Sequence, residues 1–177
     1  MTFTASVFIG TSLDGYIARD DGDIEWLTAR GEDVGDMGFF EFLDTVDTVI
    51  LGRTTYETVL AFGEEAWVYG DRRVEVLSTT IPEGADPRVT VHRDLDAMIA
   101  ALDERGAKHV YPDGGRLIQS LLRAGRVDRF IIATAPVLIG GGHRLFGDLT
   151  ADVRLRHEWT KTPGAGFVQT SWAVDRP

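Results

Sequence analysis

Apolar positions along the 177 residues switch repeatedly between short strand-like runs and three-to-four-residue spacing, the pattern of alternating strands and helices. Thr4 to Thr11 sets Ala5, Val7 and Ile9 against Thr4, Ser6 and Phe8, which predicts a first strand ending at the turn-forming pair Asp14-Gly15. Asp20-Asp21-Gly22-Asp23 is a polar turn, and Ile24, Trp26 and Leu27 follow it in a mobile loop or short helix. Asp36 stands at an N-cap or first-turn position ahead of Phe39, Phe40, Phe42, Leu43 and Val46, whose spacing predicts a helix. Thr48 to Leu51 is a continuous apolar, β-branched run, as in a buried parallel strand, and it delivers the chain into Gly52-Arg53-Thr54-Thr55-Tyr56-Glu57, where a helix begins at the threonines.

The alternation continues with strands over Val74–Ser78 and Arg88–His92 and a helix over Leu95–Glu104, in which Leu95, Met98, Ile99 and Leu102 share one face. His109–Tyr111 reads as a strand, Asp113-Gly114-Gly115 as a turn, Leu117–Arg123 as a helix and Arg129–Thr134 as a strand. The last third differs. Pro136 to Gly147 is a glycine-rich loop, and Leu155–Lys161 with Phe167–Val174, joined across Pro163-Gly164-Ala165-Gly166, predicts an antiparallel hairpin. The expected class is α/β: a mixed, mostly parallel central sheet flanked by helices, with a C-terminal antiparallel β-hairpin. With no internal repeat and no linker, residues 1–177 are read as a single domain.

Composition narrows the partners. Forty-four per cent hydrophobic content is enough for one core. Eighteen basic against 28 acidic residues give a formal charge of −10, which repels nucleic acid and anionic membrane surfaces. The absence of cysteine removes disulfides and thiolate metal sites and makes the cytoplasm the expected compartment. Met1 to Gly10 lacks a basic region, and no apolar run approaches the ~20 residues of a membrane span, so neither targeting nor insertion is expected. His92, His109, His143 and His157 have no metal-ligand spacing, and no metal is expected. The acidic run Asp20, Asp21, Asp23, Glu25 lacks the ligand order of a calcium loop and reads as a solvated turn.

Dinucleotide, P-loop, nucleophile-elbow and zincin fingerprints are all absent. Two strand-to-helix junctions are instead suited to phosphate. At Gly52-Arg53-Thr54-Thr55, free helix N–H groups, an arginine and two hydroxyls converge, although threonine capping beside a surface arginine explains the same residues. At Asp113-Gly114-Gly115-Arg116, adjacent glycines allow a backbone close to a pyrophosphate, although a simple tight turn also fits. Together, along the carboxyl edge of an open α/β sheet, they would fit a dinucleotide.

Ser12-Leu-Asp-Gly-Tyr-Ile-Ala18, Gly52-Arg-Thr-Thr-Tyr-Glu57, Asp113-Gly-Gly-Arg116 with Val127-Asp128, Pro136-Val-Leu-Ile-Gly-Gly-Gly142 and Leu145-Phe-Gly147 stand in the order of a known family. From Thr4 to Val174 the chain resembles the dihydrofolate reductase superfamily, in particular the reductase domain of the bifunctional riboflavin-biosynthesis deaminase/reductase and its stand-alone relatives. The pattern departs at Pro112-Asp113, where a smaller apolar residue and glycine are usual in dihydrofolate reductases. The resemblance implies an NADPH site. Arg53 and Thr54 lie at the adenosine 2′-phosphate with Ser78 and Thr79, Thr55 lies near the pyrophosphate beside Gly52, Gly114, Gly115 and Arg116, and Ile17 and Ala18 lie beside the nicotinamide.

The resemblance also implies hydride transfer to a pterin or ribosylaminopyrimidine-like heterocycle, as in 5-amino-6-(5-phosphoribosylamino)uracil reductase or dihydrofolate reductase. Such a step needs a proton as well as a hydride. Asp36, at the offset from Gly52 of the superfamily's substrate-binding acid, is the candidate catalytic acid and is equally an N-cap. Asp14 is a second substrate-binding candidate that an Asp-Gly turn also explains. Trp26 and Phe40, like Phe39, are candidates to line a planar pocket and equally good core residues. The alternative class is an NADP-binding module without turnover, a sensor or assembly partner. A homodimer through Pro136–Ile139 and the hairpin is the expected assembly.

Overall fold

Val49, Ile50 and Leu51 have no exposed surface, so their strand lies between two layers, as an unbroken apolar run requires. The computed structural model describes residues 3–31 and 34–176; Met1 and Thr2 of the N-terminal stretch read above lie outside the described residues. Among the described residues, ten strands and five helices follow one another as β1 (Thr4–Ser12), β2 (Tyr16–Ala18), α1 (Glu25–Gly31), α2 (Phe39–Leu43), β3 (Thr48–Gly52) and α3 (Arg53–Ala61), then, beyond a single 3-10 turn, β4 (Arg73–Leu77), β5 (Val89–His92), α4 (Leu95–Glu104), β6 (His109–Asp113), α5 (Gly115–Arg123), β7 (Arg129–Ala135), β8 (His143–Arg144), β9 (Leu155–Gly164) and β10 (Phe167–Val174).

Eight strands form one sheet in the order β5-β4-β3-β6-β1-β7-β10-β9. All pairs from β5 to β7 are parallel, and β10 runs antiparallel to both β7 and β9. This is the mixed, mostly parallel sheet with a terminal hairpin that the pattern predicts. One face packs Val7, Ile50, Val110 and Phe130 against Met98 and Leu102 of α4 and Leu117, Ile118 and Leu121 of α5. The other packs Val49, Leu51, Val76 and Tyr111 against Phe42, Leu43 and Tyr56. Near the hairpin, Trp26 covers Ala133, Ala135 and Phe167.

Differences from the sequence pattern have local causes. The helix expected from Asp36 to Val46 is confined to Phe39–Leu43, because Gly35, Met37 and Gly38 hold left-handed backbone at φ 66°, 51° and 85°. The helix expected at the threonines already begins at Arg53, with Gly52 as N-cap. β2 and β8 form a separate two-stranded ribbon within segments the pattern leaves as turn and loop.

Candidate active site

The carboxyl ends of β3 and β6 lie side by side, Leu51 opposite Asp113, and each strand runs straight into a nine-residue helix. The N-caps of those helices are Gly52 and Gly114, and neither supplies a side-chain cap, so first-turn N–H groups of α3 and α5 stay available at the same sheet edge. Gly114, at φ 107°, takes a conformation that a side chain would strain. A Cβ there would also stand 2.5 Å from Thr55 Oγ1, and one on Gly115 would stand 2.9 Å from the Arg144 carbonyl and 3.0 Å from Ile17 Cδ1. Thr55, Gly114, Gly115 and Ile17 therefore form one cradle with bare backbone at its centre. Ala18 continues β2 beyond Ile17 and pairs with His143.

Arg53 opens α3 and is half-exposed, its guanidinium 3.3 Å from Glu57 one turn on. Thr54 beside it and Arg116 in the first turn of α5 are exposed. At the end of β4, Ser78 is buried and its hydroxyl accepts the Thr80 and Ile81 N–H groups at 3.2 and 3.1 Å, which leaves Thr79 and Thr80 exposed on a tight turn. The Arg93 guanidinium ties that turn together, donating to the Ser78 and Ile81 carbonyls at 2.9 and 2.8 Å.

On the α2 face of the sheet, a cavity of about 310 Å³ is lined by Phe8, Gly10, Leu27, Asp36, Met37 and Ala133. Leu27 lies so close over Gly10 that a Cβ there would stand 2.6 Å from it. Asp36 is the acid of this cavity. Its carboxylate accepts the Phe40 N–H at 2.8 Å and the Gly38 N–H at 3.2 Å, and those bonds hold its pKa below the usual aspartate value.

Asp113 behaves in the opposite way. It ends β6, one residue before the Gly114 cradle, near Tyr69 and Tyr111. Burial pushes its carboxyl up to about 6, although the Gly114 N–H and the Tyr111 hydroxyl favour the anion. Tyr111 also donates to the carbonyl of Phe8, a cavity residue, at 3.2 Å.

Comparison with known proteins agrees with this architecture. The family model of the RibD C-terminal domain matches residues 70–168. The chain belongs to that family. A Bacillus subtilis relative, the uncharacterized protein YwjB, is 37% identical over 160 residues, 89% of this chain and 91% of its own. A Shewanella sp. PV-4 structure whose name assigns it to riboflavin biosynthesis superimposes with TM-score 0.88 at 34% identity, over 98% of this chain and all of that one. Dihydrofolate reductase from Enterococcus faecalis, solved with NADP(H), shares the fold at TM-score 0.69 and 16% identity, over 98% of this chain and 97% of that one.

In this RibD-type domain, three residues expected at the substrate make contacts elsewhere. Asp14 accepts the Ser12 hydroxyl at 2.6 Å and the Ile139 and Gly140 N–H groups at 3.2 and 2.8 Å, so both of its oxygens clamp the glycine-rich loop to the end of β1. Phe40 is 54% exposed and packs on Phe39, because the short α2 turns it outward. Trp26 is buried behind the cavity against Ala133, Ala135 and Phe167, and its indole N–H has no hydrogen-bond partner among the described residues. The cavity instead uses Phe8, Leu27 and Met37.

The sequence pattern puts Asp113 in a turn at a phosphate-suited junction and gives its carboxyl no role of its own. Its signal is an acid at the end of the apolar run Val110-Tyr111-Pro112, a position where burial would perturb it. Among the described residues, no group of histidines and carboxylates could hold a metal, and no helix is long and apolar enough to cross a membrane.

Proposed function

We propose that this RibD-family domain is an NADPH-dependent reductase of a small planar heterocycle of the pterin or aminopyrimidine class. The observation that carries the reading is the Thr55–Gly114–Gly115 cradle between two helix N-termini that lack side-chain caps. Bare glycine backbone, free N–H groups and positive dipole ends are what a pyrophosphate needs. Arg53, Thr54 and Thr79 are the groups for a 2′-phosphate, with Ser78 shaping their turn; Gly52 and Arg116 flank the pyrophosphate; Ile17 and Ala18 border the nicotinamide. The donor set of N–H, hydroxyl and guanidinium groups fits an anionic dinucleotide.

The cofactor, when bound, supplies a hydride to the carbon of a C=N bond. The chain supplies the rest. Asp36, held ionised, accepts N–H groups of the heterocycle and orients the ring against Phe8 and Met37. Asp113, half-protonated near pH 6, holds the proton that balances the hydride at the nitrogen, passing it directly or through water. This second acid, with its pKa set apart from that of Asp36, favours turnover over a cofactor-binding module without chemistry. The reading also takes the protein to be a cytoplasmic homodimer, with Leu13 and Leu138, 65% and 68% exposed, at the contact beside the hairpin.

Calorimetric titration with NADPH and NADH tests the cofactor, followed by absorbance assays with dihydropterin and aminopyrimidine substrates. Micromolar NADPH binding with selectivity over NADH is the expected result. No binding of either nucleotide overturns the reading.

A further inference from the structure

Gln169 lies on β10, directly opposite Ala133 of β7, and 2% of its surface is exposed. A primary amide so deeply buried is costly unless its polar atoms are paired. Its Nε2 donates at 3.0 Å to the carbonyl of Met37, 132 residues earlier in the chain. Met37 is one of two non-glycine residues among those described that hold positive φ, at 51°. Such a conformation persists only where the surroundings over-determine it.

One end of this contact lines the cavity. Met37 and its neighbour Asp36 are among the lining residues, as is Ala133, the register partner of Gln169. The carboxylate of Asp36 is directed by the Gly38 and Phe40 N–H groups, which follow Met37 in the same turn. We infer that Gln169 is a positioning residue that acts through the Met37 carbonyl. Its amide fixes the Asp36–Gly38 turn in the conformation that presents the Asp36 carboxylate and the Met37 side chain to the cavity. The terminal hairpin thereby sets the geometry of the part of the lining that Asp36 and Met37 form. This inference rests on the cavity being the substrate site proposed above, whereas the anchoring itself can be tested without any ligand.

Gln169→Leu and Gln169→Met remove the donor while keeping most of the volume. Amide exchange and carboxyl titration, both followed by NMR on the full chain, read the turn directly. The Gly38 and Phe40 amides should lose about tenfold in protection, the expected effect of one hydrogen bond. The Asp36 carboxyl should titrate closer to an ordinary aspartate, while the Ser171 and Trp172 amides of β10 keep their protection. Adding Met37→Gly, which accepts the left-handed backbone without strain, should restore the turn in the Leu variant.

Unchanged Gly38 and Phe40 exchange with unchanged Asp36 titration in a folded variant would overturn the inference. So would protection falling evenly across the sheet, or failure of both variants to fold, since either makes Gln169 a core element only. NADPH affinity of the wild type, measured beside these, separates the two readings: its absence sinks the proposed cofactor site and leaves the anchoring to stand or fall on the exchange data.

Discussion

Thr55 Oγ1 occupies the space that a side chain on Gly114 would need, 2.5 Å from where its Cβ would stand. The first turn of α3 and the last link of β6 are thus fitted to each other through a missing side chain. Gly114→Ala meets both that hydroxyl and a backbone at φ 107°, and the backbone strain alone costs about 1 to 3 kcal/mol. Urea unfolding should show that loss, and calorimetry should show NADPH binding gone. Adding Thr55→Ala relieves the collision but not the strain, so it should recover only part of the stability. An alanine variant as stable as the wild type, with cofactor affinity intact, would remove the cradle from the binding site.

On the proposed reading, Arg53 is the residue that separates the two nicotinamide cofactors. Its guanidinium is half-exposed and, among the described residues, is held by a surface pair with Glu57, which contributes little and can be exchanged for a phosphate. Arg53→Ala should weaken NADPH about ten- to a hundredfold, the equivalent of a charge-assisted contact of ~1.5 to 3 kcal/mol, and leave NADH nearly unchanged. An equal loss for both nucleotides would move the arginine away from the 2′-phosphate.

The parts of this fold legible in sequence are those that one physical pattern dictates. Val49-Ile50-Leu51 reads as a two-sided buried strand because no polar position interrupts it, and α4 and α5 read from one apolar face each. The β2–β8 ribbon escapes, since three residues pairing with two carry no periodicity. The end of β6 escapes for another reason. Asp113-Gly114-Gly115 has turn composition, and only the neighbouring strand and tyrosines make Asp113 the end of a strand and a perturbed acid. Gly52, Thr55, Gly114 and Gly115 come together at the ends of β3 and β6, as two strand-to-helix junctions on one sheet edge require. The surroundings of Asp14 and Phe40 are not legible, because they depend on a loop folding back and on a shortened helix. Gln169 is invisible by alternation alone, one polar residue on a strand, until Met37 is beside it.

Asp113 predicts a pH effect of known sign. Its folded pKa of about 6 lies above the ordinary aspartate value of 3.8, so its favourable contribution is present in acid and is lost as pH rises through 6. Between pH 4 and pH 7 the wild type should lose about 2 to 3 kcal/mol relative to Asp113→Asn, which cannot ionise. If the carboxyl also holds the proton for reduction, kcat/KM should fall above about pH 6, and the Asn variant should lose both that limb and most of the rate. A stability difference between wild type and Asn that is flat with pH would show that the carboxyl is not desolvated.

Far from the cradle, Glu75 carries a charge into β4 with 1% of its surface exposed. The guanidinium of Arg105 pairs with one carboxylate oxygen, and His92 Nε2 lies 2.8 Å from the other. Burial lowers the His92 pKa, so at neutral pH the imidazole pairs as a neutral donor and Arg105 carries the compensating charge. Arg105→Leu leaves that carboxylate buried without a cation and should cost about 3 to 5 kcal/mol in denaturant unfolding. Replacing both partners, Glu75→Leu with Arg105→Leu, removes the stranded charge as well as the pair. Most of the lost stability should return, because a buried ion pair repays its own desolvation only narrowly. A double variant as unstable as the sum of the two singles would mean that each side chain acts through its own packing and that the charges on β4 and at the end of α4 are not coupled.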